Sequence, residues 1–219
     1  MSRSAKKAGP SPRRRPAPYH HGDLRRVLID AALQLAVEAG PDAVSVREAA
    51  RRAGVSPGAP FRHFESRDAL MMAVAEEAQL RFRAEIVAAL ADAPVDAPLQ
   101  RFKQLGLAYL RWAARNPAHF EIISTGRWFD HDSAVNVSRD NADVIAMTEL
   151  LLAEAAAKGQ LRAAVDLKTA QISGRALVYG LARMNLDRHF PRWGVRADQV
   201  ERMAEQALDL FLDGLADKP

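Results

Sequence analysis

The stretch Ser45-Val-Arg-Glu-Ala-Ala-Arg-Arg-Ala-Gly-Val-Ser-Pro-Gly-Ala-Pro-Phe-Arg-His-Phe64 decides how this chain folds. Ser45 and Glu48 have the spacing of a capping box, in which hydroxyl and carboxylate each satisfy a free backbone N–H at a helix start. Ala50 is small enough to sit where two helices cross closely. Gly54, four residues on, can take the left-handed conformation that ends a helix without steric cost. Ser56 predicts a second cap, with Pro57 at the first helical position, where a missing N–H costs nothing. Pro60 falls late in the first turn of that second helix and removes one backbone hydrogen bond. Two capped helices joined by a Gly-containing turn predict a helix-turn-helix, whose second helix enters a DNA major groove.

Outward from the motif, Phe61-Arg62-His63-Phe64 is followed by Ser66-Arg67-Asp68-Ala69-Leu70, a capped start for a further helix. Together with Gly54-Val55-Ser56, these residues resemble the signature of the TetR-type transcriptional regulators, most strongly over about residues 22–82. Leu110-Arg-Trp-Ala-Ala-Arg-Asn-Pro-Ala-His-Phe120 resembles the WHG-like C-terminal domain of one branch of that family. Phe61 stands where a Tyr is usual, and Arg67 where a Lys is common. The resemblance implies a homodimer that binds a pseudo-palindromic operator in double-stranded DNA and releases it on binding a small-molecule inducer. The residues expected to meet DNA are Arg47, Ser56, Pro57, Gly58, Pro60, Phe61, Arg62, His63 and Arg67. Arg47 and Arg62 can reach guanine or phosphate, while His63 resembles a phosphate-contacting His of the family.

Charge distribution agrees with this reading. Residues 1–64 hold 12 Lys/Arg against 5 Asp/Glu, a balance of +7, whereas the other 155 residues balance at −3. Residues 1–18 contain four Pro and six Lys/Arg with no acid, a composition that predicts a disordered basic arm. Were that arm to dominate affinity, the alternative would be a non-specific architectural DNA-binding protein. The chain has no Cys, so disulfides, thiolate metal sites and Cys nucleophiles are excluded. Its longest apolar run, Ala69–Ala75, is far shorter than a membrane span. No apolar stretch follows the basic N-terminus at signal-peptide distance, so a cytoplasmic protein without membrane partner is expected. No phosphate-loop, dinucleotide or His-Glu-X-X-His motif occurs. The adjacent pairs His20-His21 and His131-Asp132 lack metal-site spacing, so no enzyme activity, cofactor or metal is expected.

Apolar periodicity predicts an all-α fold of about nine helices. The expected organisation is a basic arm (1–18), a helix-turn-helix domain (19–82, motif 45–64) and a helical regulatory and dimerisation domain (83–219). The resemblance implies a ligand cavity among the C-terminal helices. Tyr109, Trp112 and Phe120 surround the Asn116-Pro117 helix break, and Trp128 lies on a loop beyond it, so these with Phe82 are its expected wall. His119 or Arg127 would supply a polar anchor for an apolar or aromatic ligand. The last two helices carry regular stripes. By resemblance they pair across a two-fold axis, through Gly174, Leu177, Leu181, Met184, Leu208 and Phe211.

Overall fold

The first helix, α1 (Leu24–Ala39), buries Leu28, Ala32, Leu35 and Ala36 at three- and four-residue spacing, one face of a helical period. Gly40, at φ 84°, ends it, and Pro41–Ala43 form a 3-10 turn. A computed structural model describes residues 24–130 and 134–217. The proposed arm, the His20-His21 pair and the His131-Asp132 pair lie outside the described residues. Within them the chain is all-α: α1, α2 (Val46–Arg52), α3 (Arg67–Ala91), α4 (Pro98–Arg115), α5 (Pro117–Thr125), α6 (Val135–Ala157), α7 (Leu167–Leu186) and α8 (Val200–Leu215). The single extended pairing among these residues is an isolated bridge between Leu161 and Ala216.

Among the described residues eight α-helices stand where about nine were expected, and the one not formed is the recognition helix. Residues 57–59 form a turn, and Pro60–Arg62 a single 3-10 turn. Pro60 cannot donate to the Ser56 carbonyl, so that carbonyl instead accepts the Ala59 N–H at 3.0 Å. The Pro60 carbonyl then accepts both His63 and Phe64 N–H groups at 2.9 Å. Pro60 thus removes the donor that would close the first i→i−4 bond of the segment, which tightens into a 3-10 turn instead.

Two apolar clusters organise the molecule. The first joins α1, α2 and the N-terminal part of α3 around Leu28, Val44, Leu70, Met71 and Val74, with Ile122 of α5, Trp128 and Phe129 packed onto it. The second is aromatic: Phe82, Phe102, Tyr109, Trp112 and Phe120, closed by residues of α6, α7 and α8. One unbroken 25-residue helix, α3, belongs to both; at about 1.5 Å per residue it spans roughly 37 Å. Ser66 caps it, accepting the Ala69 N–H at 3.0 Å. Ion pairs tie the second cluster's helices together, including Arg83–Asp143 at 2.9 Å and Lys103 to Glu205 and Asp209 at 3.1 and 2.6 Å.

Candidate functional site

The reader begins with a cap. Ser45 Oγ accepts the Glu48 N–H at 3.2 Å, but Glu48 does not complete the capping box. Its carboxylate is taken by Arg51, whose Nε donates to both oxygens at 3.1 and 2.9 Å. At the other end of α2, Gly54 sits at φ 69°. Its N–H donates to the Arg51 carbonyl, and the Val55 N–H to that of Ala50, at 3.2 and 3.1 Å. This paired arrangement satisfies the last carbonyls of a helix and needs a left-handed residue at its centre.

Beyond that turn, Ser56, Pro57, Gly58, Phe61, Arg62 and His63 are exposed, as is Arg47 on α2. Phe61 is 48% accessible, unusual for an aromatic side chain of this size. Neutralisation divides the arginines. Arg51 pairs with Glu48 and Arg52 with Glu38, while Arg47 and Arg62 have no ion-pair partner among the described residues. The unpaired cations therefore face outward beside the exposed turn.

Two residues expected at DNA have other surroundings. Pro60 is buried, because the 3-10 turn points its ring into the cluster under α2. Arg67 donates from Nε to the Val44 carbonyl at 2.8 Å and from Nη2 to that of Pro41 at 3.1 Å. It fastens the start of α3 to the segment before α2, a bracing role that spacing alone does not reveal.

The second cluster lines a partly open cavity of about 320 Å³, within the range of small-molecule sites. Of the residues expected there, Phe82, Tyr109, Trp112 and Phe120 line it. Phe82 meets Tyr109 edge-on at 5.3 Å and Trp112 at 5.0 Å, and Tyr109 meets Phe120 at 6.0 Å. Three expected residues lie elsewhere. Trp128 packs on the reader cluster and donates from Nε1 to Asp42 at 2.7 Å. Arg127 pairs with the same carboxylate at 3.5 Å. His119 is buried against Trp112 with both ring nitrogens unpartnered, and burial pushes its imidazole down from the ordinary value.

Sequence reasoning missed the polar wall: Gln79 on α3, Ser124 on α5, and Lys168, Gln171 and Arg175 on α7. For Gln79 a signal existed. It falls on the apolar stripe Ala75, Phe82, Ile86 of α3, a polar residue on a buried face.

Of the residues expected at a dimer face, Gly174 and Leu208 point inward. A Cβ on Gly174 would lie 3.1 Å from the Phe102 ring, and Leu208 is 1% exposed, against Gly106 of α4. Phe211 is half-buried, its ring beside Gly174. Leu177, Leu181 and Met184 are also half-buried, and Leu181 lines a groove between α4, α7 and α8. Helix α8 carries two apolar stripes. The outer one is Met203, Ala207, Leu210 and Gly214, of which Leu210 is 76% exposed.

Among the described residues no helix is long and apolar enough to cross a membrane, and no three His, Cys, Asp or Glu gather as a metal site. Residues 28–74 match the bacterial regulatory proteins of the tetR family, and residues 102–211 match the tetracyclin repressor-like C-terminal domain. An HTH-type transcriptional repressor of Mycobacterium tuberculosis H37Rv is 38% identical over 65 residues, 30% of this chain and 35% of that protein. The chain spans 29% to 48% of the length of the curated relatives it matches. A protein of unknown function from Rhodococcus sp. RHA1 shares 31% identity and superposes with a TM-score of 0.78, over 91% of this chain and 99% of that one. A tetR-family regulatory protein from Rhodococcus RHA1 superposes at 0.69 with 21% identity, over 89% and 98%. The paired matches, which take in both the reader and the aromatic half, place this chain in the tetR family of bacterial regulatory proteins.

Proposed function

We propose that the protein is a homodimeric transcriptional regulator, most simply a repressor, released from its operator when a small molecule enters the cavity. The observation that carries this is the continuity of α3. Its first turn is fastened to the reader through Arg67, and Gln79 and Phe82, three turns on, line the cavity. A ligand that prefers one position of α3 shifts the population of reader positions by its differential affinity. A second link runs through α5, which lines the cavity with Phe120, Ile123 and Ser124. The loop that follows α5 is held to the reader by the Trp128–Asp42 hydrogen bond.

Two readers must meet successive major grooves, about 34 Å apart, which requires a dimer. On α7, Ser173, Leu177, Gly180 and Met184 share a stripe. On α8 the outer stripe has the same spacing, suited to a self-complementary face about a two-fold axis. Leu210→Glu places a charge on that face without touching the core, so sedimentation should show monomers that stay folded. A dimer surviving the change would put the interface elsewhere. Selection of genomic DNA fragments by the purified protein should return a pseudo-palindrome with half-sites about one helical turn apart. Enrichment without a shared sequence would favour the architectural alternative.

A further inference from the structure

The cavity wall has a charge pattern that its aromatic character hides. Among the described residues its lining includes two cations, Lys168 and Arg175, and no Asp or Glu. Lys168 is already spoken for: its Nζ lies 2.8 Å from Glu149 and 3.0 Å from the Gln171 side-chain oxygen. Arg175 has no carboxylate partner among the described residues. Its Nη1 donates to the Tyr109 hydroxyl at 2.7 Å, and its guanidinium lies over the Tyr109 and Tyr179 rings, 4.9 and 5.2 Å from their centroids. Stacking on two rings fixes the plane of a guanidinium and leaves its remaining N–H groups directed sideways. Burial pushes the Tyr109 phenol up, against the pull of Arg175, so its O–H remains a donor beside the cation.

Elsewhere on the same wall two buried polar groups wait for acceptors. Gln79 is 4% exposed, and among the described residues neither its Nε2 nor the Ser124 hydroxyl has a partner. Buried donors of this kind are rarely left unmade in a folded protein. The rings connect the two ends of this chemistry: Phe82, one turn beyond Gln79, meets Tyr109 edge-on, and Tyr109 carries Arg175.

On the reading that this cavity is the effector site, we infer that its ligand is an aromatic carboxylate. The carboxylate is received by Arg175 and the Tyr109 hydroxyl, the ring system lies among Phe82, Phe102 and Phe120, and Gln79 donates to an acceptor on the ring system. An Arg fork matches carboxylate geometry bidentately, and offset or edge-on contacts suit a flat ligand better than a flexible chain. An acceptor at Gln79 also places a ligand contact on α3 itself, between its reader-facing turns and the rest of the cavity.

The test uses the full chain and three probes of one shape: 1-naphthoate, 1-naphthamide and 1-naphthylmethylamine, followed by tryptophan fluorescence. The acid should bind at least about tenfold more tightly than the amide, the difference of one charged hydrogen-bonded contact, and the amine should bind most weakly. Arg175→Met keeps a stem over the tyrosine rings. It should weaken the acid by about the same factor while leaving the amide unchanged, and Arg175→Lys should restore part of the loss. Equal binding of acid, amide and amine would overturn the anion assignment while leaving the cavity as a binding site. Failure of all three to bind wild type, with folding intact by circular dichroism, would overturn both the assignment and the effector-site reading beneath it.

Discussion

The two halves of this molecule are built on opposite packing rules, though one helix runs through both. Around the reader, small and aliphatic side chains make up most of the cluster, with Leu28, Ala32, Ala49, Leu70 and Val74 all fully buried and Phe64, Trp128 and Phe129 packed with them. Around the cavity, the rings of Phe82, Tyr109, Trp112 and Phe120 meet edge-on or tilted and border a space of about 320 Å³. A filled cluster resists deformation, whereas a hollow one loses little by rearranging, because atoms facing a void already lack partners on that side. On the proposed function, the reader would keep its shape while the C-terminal half changes its own. The long helix α3, shared by both clusters, is the element that would couple them.

The largest expected effect sharpens that contrast with a matched pair. Leu70→Ala, in the filled cluster, should cost about 2–5 kcal/mol by urea unfolding. Leu105→Ala removes the same atoms from the cavity wall, where the void already exists, and should cost less than half as much. Equal losses would mean that the second cluster is packed as tightly as the first.

Next come two arginines, Arg62 and Arg67, both expected at DNA. Arg62 is exposed and has no ion-pair partner among the described residues, so Arg62→Ala should weaken operator binding about 10- to 100-fold, the worth of a bidentate base contact, with no change in melting. Arg67 holds backbone carbonyls, and Arg67→Ala should lower stability by about 1–3 kcal/mol and reduce DNA binding through the reader's shape. Thermal melts beside DNA titrations separate the two. Identical profiles would erase the distinction between a contacting and a bracing residue.

The smallest effect concerns pH. His119 is buried without a hydrogen-bond partner, and burial lowers its imidazole below the unfolded value. The unfolded chain therefore binds the proton first. Stability is full above about pH 6.5 and falls as pH drops through the window between the unfolded and the folded values. His119→Leu should show a flatter decline between about pH 7.5 and 5 in urea melts. A parallel decline in the variant would assign the pH response to other groups.

What was legible in the sequence was local. The cap at Ser45, the left-handed Gly54 and the capped start of α3 at Ser66 depend on neighbours within four residues, and each formed at its expected position. The recognition helix did not, because Pro60 removes the first ladder donor of a segment only a few residues long. Nor could spacing decide which stripe of α8 faces inward. Both stripes are apolar, and only the fit of Leu208 against Gly106 chooses between them. The aromatic wall followed from the Asn116-Pro117 break, yet Trp128, close by in sequence, turned to the reader to satisfy its indole N–H at Asp42. Arg175 left no local trace, since it gains its place from two tyrosines, one of them 66 residues away.

The central claim, that occupancy of the hollow half moves the filled half as a unit, is tested most directly by one distance. The chain has no Cys, so Glu65→Cys, exposed beside the reader, gives one spin label per protomer. Pulsed electron resonance then reads the separation across the dimer with and without the aromatic acid that binds most tightly. The account predicts a displaced distance distribution on saturation, in step with loss of operator binding. An unchanged distribution under conditions where the same acid releases DNA would contradict it.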